Sequence, residues 1–322
     1  MKVVTIAGVF AALVIAGGTE AKPVKAEVSA QVVSSDQMLR HDTAYPGGVT
    51  AHPDITYATV PGYQSMTLDL YAPTRGKAAR PLVIYVHGGG WTGGNSRNAG
   101  AFADFPAVLA DLASRGYVVA SLNYRLSGEA RFPAAADDVD AAIRWLKSHA
   151  GDYGIDKARV AIWGGSAGGQ LAALAATDCT PAAGGKESDC VQAAVIWYGV
   201  FDFAALPQRA PPPGQPVAEN AYLGCRIAEC PKVVAAASPI AHVDAKTPPM
   251  LLIFGSEDKT VPPDQSRAMA ARLKAAGARN AVIEIPAVDH SFIGHTPAAT
   301  REASLKALQA TFDWFDATVG QR

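Results

Sequence analysis

Near the middle of the chain an apolar run, Val160–Trp163, gives way to Gly164-Gly165-Ser166-Ala167-Gly168-Gly169 and then to the alanine-rich stretch Gln170–Ala176. A strand-like segment that becomes a helix within so few residues must reverse very sharply. Ser166 at the apex takes a strained backbone conformation, and side chains two residues to either side of it would collide. Gly164 and Gly168 remove that collision. The reversal lifts the Ser166 hydroxyl off the edge of a sheet. It also points the start of the next helix at whatever reacts there, which favours developing negative charge. Glycine and serine are common, so the pattern alone is weak. The strand before it and the helix after it make Ser166 a candidate nucleophile.

The rest of the chain supplies the sheet that such a turn needs. Leu82-Val83-Ile84-Tyr85-Val86 is a continuous apolar run, as in strands covered on both faces. Tyr117–Ser121, Ala193–Trp197, Met250–Phe254 and Val282–Ile285 share that character. Ile55–Thr59 and Thr67–Leu70 read as an antiparallel pair joined across Pro61-Gly62. Amphipathic segments lie between the runs: Phe102–Arg115, Asp138–His149, Gln265–Ala276 and Glu302–Val319. Strands alternating with helices predict the α/β class, with a mostly parallel central sheet flanked by helices over residues 54–322. One stretch, about 203–243, breaks the alternation with Pro207, Pro211, Pro212, Pro213 and Pro216. It reads as a lid-like insertion able to overhang a ligand crevice at the carboxyl ends of the strands.

A serine nucleophile needs an oxyanion site, a base and an acid that orients the base. His87-Gly88-Gly89-Gly90-Trp91 follows the run Leu82–Val86 directly. Three successive glycines let the main chain approach a substrate closely, and the amides of Gly89, Gly90 and Ala167 are the expected oxyanion donors. A phosphate cradle would want a lysine and a hydroxyl residue after the last glycine, and neither is present. His87 is expected to hold the loop rather than move protons. In a strand–turn–helix hydrolase the chain order is serine, acid, histidine. His290 lies in Val288-Asp289-His290-Ser291-Phe292 after the last strand-like run, and is the expected base, ahead of His295 and the out-of-order His242. Asp258, in the loop after Met250–Phe254, is the expected acid, with Glu257 and Asp202 as competitors. Asp289 reads as a solvated loop residue. Trp91, Trp197 and Tyr198 follow strand ends and are assigned to a substrate pocket, with core packing as the competing reading.

The ends and the cysteines bear on compartment. Lys2, the apolar run Val3–Ile15 and the small residues up to Ala21 read as a cleaved signal peptide over residues 1–21. The run is short for a membrane span, which needs about 20 apolar residues. Residues 22–53 read as an arm or linker. Export to an oxidising compartment suits disulfides, periplasmic or secreted. Of three possible connectivities, sequence proximity favours Cys179–Cys190 and Cys225–Cys230. Their spacing is wrong for a structural zinc site. A net charge of −1 gives no electrostatic case for nucleic acid or for an anionic membrane surface.

These motifs together resemble the bacterial carboxylesterases of the α/β-hydrolase superfamily. The resemblance is to the feruloyl-esterase-like branch, related to the hormone-sensitive-lipase-like esterases. It is carried by His87–Trp91, Asn123-Tyr124-Arg125-Leu126, Phe132-Pro133-Ala134, Gly164–Gly169, Gly255–Asp258 and Asp289–Phe292. It implies the α/β-hydrolase fold and hydrolysis of a small-molecule ester through an acyl-enzyme. It implies the same Ser166, Asp258 and His290, and neither a metal nor an organic cofactor. Lipase-like relatives carry an acidic residue just before the serine, where this chain has Gly165, and Trp91 also leans toward the feruloyl-esterase-like group. An amide hydrolase, kynurenine-formamidase-like or a peptidase, would use the same residues. A non-catalytic binding module on this fold would have lost some of them.

Overall fold

In the computed structural model the described residues are 41–74, 78–207 and 217–320. The expected signal peptide therefore lies outside them, as do the insertion's Pro211, Pro212, Pro213 and Pro216. A single nine-stranded sheet organises the described chain. Its strands are β1 (Thr43–Tyr45), β2 (Val49–Ala58), β3 (Met66–Pro73), β4 (Arg80–Val86), β5 (Val118–Leu122), β6 (Ile155–Gly165), β7 (Ala193–Trp197), β8 (Met250–Gly255) and β9 (Asn280–Ile285). The spatial order is β1-β2-β3-β5-β4-β6-β7-β8-β9. The first three strands and the β3–β5 pair are antiparallel, and every pairing from β5 through β4 to β9 is parallel.

The helices are α1 (Phe105–Ser114), α2 (Ala134–Ser148), α3 (Ala150–Tyr153), α4 (Ala167–Thr177), α5 (Ala218–Leu223), α6 (Pro231–Ala237), α7 (Pro263–Ala275) and α8 (Pro297–Thr318). Alternation along the strands divides the core into two layers. Leu82, Ile84 and Val86 pack with Val139 and Ile143 of α2, Leu171 of α4 and Met269 of α7. Val83 and Tyr85 pack on the other face with Leu109 of α1 and Phe315 of α8. Full burial of each such aliphatic side chain contributes about 1.5–3 kcal/mol. The sheet thus satisfies the expectation of a parallel core covered on both sides.

One boundary differs from expectation. The sheet begins at Thr43, inside the stretch 22–53 read as an arm, and Val49 and Ala51 of β2 are buried. The β2–β3 register shifts between His52 and Ile55, around Pro53-Asp54, so the apolar alternation is broken where it would have been read.

Between β4 and β6 the order of connections reverses. β4 leads through α1 to β5 on one side, and β5 leads through α2 to β6 on the other. Such a switch point leaves a crevice at the carboxyl ends of the strands. Both glycine-rich segments of the sequence open there, one after β4 and one at the end of β6.

Candidate active site

Ser166 sits between β6 and α4 at φ 57° and ψ −122°. Its amide donates to the Trp197 carbonyl at 3.0 Å, which pins the turn to β7. A side chain at Gly164 would collide with the Gly168 carbonyl, and one at Gly168 would collide with the carbonyls of Val86 and His87. The second contact explains more than the turn: the Ser166 segment and the glycine loop touch backbone to backbone.

His290 follows β9 and Asp258 follows β8. His290 Nε2 lies 3.0 Å from Ser166 Oγ, and its Nδ1 lies 2.8 Å from Asp258 Oδ2. Asp258 is buried, and its Oδ1 accepts from the amides of Thr260 and Val261, each at 2.8 Å. A carboxylate held on both oxygens cannot rotate away from the imidazole. The three expected residues therefore meet in one hydrogen-bonded line. The competitors are engaged elsewhere. Glu257 pairs with His295 at 3.1 Å, Asp202 accepts from Ala204 in its own turn, and His242 contacts the Ala236 carbonyl.

The glycine loop stands beside that line. Gly89 and Gly90 have φ of 121° and 60°. Among the described residues none accepts from their amides or from that of Ala167. His87 Nδ1 donates to the Gly88 carbonyl at 2.7 Å, and its ring stacks on Tyr124 at 4.3 Å. Burial pushes His87 down to about 4, partly offset by that backbone bond, so it is neutral near pH 7 and braces the loop. A cavity of about 600 Å³ opens over Ser166, lined by the glycine loop, Trp91, Tyr198, His290 and residues 217–219 of the insertion. In volume it falls within the range of small-molecule sites.

Comparison with known proteins places this architecture. The model of the BD-FAE family matches residues 68–273, well over half of the chain. The chain belongs to the BD-FAE family, which is feruloyl-esterase-like. Esterase LipQ of Mycobacterium tuberculosis is 34% identical over 279 residues, covering 84% of this chain and 63% of LipQ. LipM of the same organism, a probable carboxylic ester hydrolase, is 34% identical over 66% of this chain and 49% of its own. The chain thus spans only part of the length of these curated relatives. Among solved structures, a truncated carbohydrate esterase from gut microbiota superposes with a TM-score of 0.70 at 28% identity, covering 86% of this chain and 99% of that one. A butyrate-bound thermophilic esterase from Thermogutta terrifontis gives 0.66 at 26% identity, covering 84% of this chain and 94% of that one.

Within this BD-FAE chain two expectations need correction. Trp197 does not line the cavity. It shares the face of β7 with Val195, two residues before it, so it points at α8, where its indole donates to Thr311 Oγ1 at 3.0 Å. Tyr198, one residue on, does reach the cavity. Asp289 is not merely solvated. It accepts from the amides of Lys259 at 2.9 Å and His290 at 2.7 Å, which hold its carboxyl below the usual range. Cavity residues unforeseen in the sequence include Tyr85, Phe102, Ala218, Val261 and Ser291. Val261 and Ser291 had a signal, being close neighbours of Asp258 and His290. Both expected disulfides, Cys179–Cys190 and Cys225–Cys230, are formed. Among the described residues no helix is long and apolar enough to cross a membrane.

Proposed function

We propose that this protein is an exported serine hydrolase that cleaves carboxylic esters through an acyl-enzyme. The observation that carries the reading is the unbroken line from Asp258 through His290 to Ser166, at 2.8 and 3.0 Å, ending in the cavity beside the glycine loop. His290 takes the Ser166 proton as Oγ attacks the ester carbonyl carbon. Asp258 keeps the imidazole in the correct tautomer and stabilises the imidazolium. The carbonyl electron pair moves onto oxygen, where the amides of Gly89, Gly90 and Ala167 bind it. Collapse of this intermediate breaks the bond to the alcohol oxygen, which leaves with the proton from His290. Water, deprotonated by His290, then attacks the acyl carbon, releases the carboxylic acid and restores Ser166.

The substrate is a small ester. The cavity volume supports this, as do a relative that holds butyrate and another named a carbohydrate esterase. Ser166→Ala is expected to lower hydrolysis of 4-nitrophenyl acetate by more than about 10,000-fold, with circular dichroism unchanged. It should also abolish covalent labelling by a fluorophosphonate probe. Full activity in Ser166→Ala sinks the assignment. Assayed beside the ester, N-formylkynurenine and an anilide should turn over more slowly, and the reverse order would make the protein an amide hydrolase.

Export rests on the segment from Lys2 to Ala21 and suits a chain with two disulfides. Sequencing the N-terminus of the protein from its host should read from Lys22; a chain still starting at Met1 overturns cleavage.

A further inference from the structure

Gln170 is fully buried in the first turn of α4, four residues after Ser166. Its amide closes that turn on the Ser166 carbonyl at 3.0 Å. Its side chain looks outward from the nucleophile to two other parts of the molecule. Oε1 accepts from the indole N–H of Trp91 at 2.9 Å, and Nε2 donates to the Ala237 carbonyl at 2.8 Å. Trp91 is the residue directly after Gly90, at the end of the glycine loop. Ala237 ends α6, in the insertion.

Trp91 needs holding. It has a φ of 58°, a strained conformation for a non-glycine residue that persists only where its surroundings enforce it. Its ring is buried and stacks on Tyr222 of α5 at 4.7 Å, and its indole N–H is committed to Gln170. Without those contacts the Trp91 backbone would relax toward negative φ, and the peptide group between Gly90 and Trp91 would turn with it. That rotation would shift the Gly90 backbone, whose amide is one of the proposed oxyanion donors.

We propose that Gln170 is a positioning residue that holds the Gly89–Trp91 backbone in its reactive shape and ties the insertion to the same point. The proposal rests on the esterase reading above. One side chain spans three elements: the helix of the nucleophile, the loop of oxyanion donors and α6 of the insertion, whose residues 217–219 line the cavity. Its effect is felt as charge develops on the carbonyl oxygen, and much less when the neutral ester binds. A kcat loss with an unchanged KM is therefore its signature.

The test compares Gln170→Met and Trp91→Phe, singly and together, on 4-nitrophenyl acetate. Gln170→Met keeps the length of the side chain without its hydrogen bonds. Trp91→Phe keeps an aromatic ring for the stack and removes the indole N–H. Each is expected to lower kcat by about 10- to 100-fold, with KM within about twofold of wild type. The double variant should be no slower than the slower single one, because both changes break the same link. Thr311→Val is the control, since it removes the hydrogen bond of another buried indole, that of Trp197, away from the cavity. It should lower the melting temperature while leaving kcat unchanged. Folded Gln170→Met with wild-type kcat, or losses that simply multiply in the double variant, overturns the proposal. If Gln170→Met does not fold, Trp91→Phe decides alone, and a wild-type kcat there overturns it. A wild-type protein that neither cleaves the ester nor takes a fluorophosphonate label overturns the esterase reading itself. That result differs from an active wild type whose Gln170 variants match it.

Discussion

Side chains seldom sit at positive φ, because Cβ crowds the neighbouring carbonyl. Here Trp91, Ser166, Tyr198, Ser291 and Phe292 all do, and all but Phe292 line one cavity. Strain of this kind persists only where other contacts outweigh it. The amides of Ser166 and Tyr198 are fixed to Trp197 and Ile253 at 3.0 and 2.8 Å. Ser291 follows a histidine whose own amide is fixed by Asp289. Because that carboxylate also accepts from Lys259, it laces the loop of Asp258 to the loop of His290. Asp289→Ala should therefore lower kcat about tenfold with the fold intact. Asp289→Asn, which keeps an acceptor oxygen, should lose much less. Equal activity in Asp289→Ala and wild type would refute this. The pH dependence has a definite sign. The folded carboxyl lies below its unfolded value of about 4, so the tether is complete above that pH and is lost only as pH falls through the lower folded value.

At the scale of elements, legibility tracked how local the signal was. β4, β7, β8 and the second half of β6 were legible because strands covered on both faces are continuous apolar runs, and each runs straight into a loop at the cavity's edge. Ser166, Asp258 and His290 follow from chain order and strand ends, and the structure brings the three within hydrogen-bond distance. β1 and the start of β2 were illegible because a register shift at Pro53-Asp54 scrambles their alternation. That irregularity has a tertiary partner invisible in the sequence. The buried Asp69 of β3 accepts from the Asp54 amide at 2.9 Å, from Ser96 Oγ at 3.0 Å and from Arg97 Nε at 2.7 Å. It thereby joins the β2 bulge to the segment that follows the glycine loop. Trp197 and Tyr198 could not be told apart because at a strand's last residue the face depends on where the pleat ends. The insertion's part in the cavity, through Val217, Ala218 and Glu219, was hidden for another reason. The insertion's described part holds two short helices, and helices of six or seven residues are positioned by what they pack against, not by their own periodicity.

At the scale of the whole molecule, stability depends on groups far from the cavity as well. Arg144 of α2 pairs with Asp189, and Lys147 donates to the Cys190 carbonyl at 2.6 Å, so α2 is bound to the loop closed by Cys179–Cys190. Asp140 lies on the same helix. Burial pushes it up to about 7, reinforced by Asp189, Asp137 and Asp178 and opposed by Arg144. Its unfolded value is about 4. Between those values the folded protein holds a proton that the unfolded chain releases, so stability falls as pH rises from about 4 to about 7 and then levels off. Asp140→Asn cannot ionise and lacks this slope. Its melting temperature should exceed that of wild type by about 2–4 °C at pH 8, since about 1–2 kcal/mol of the half-buried charge's cost is removed. The gain should shrink steadily as the pH is lowered toward 4, where the wild-type carboxyl is neutral in the folded state. A difference that does not change with pH, measured by thermal unfolding across that range, would mean that ionisation of Asp140 is not what the substitution relieves.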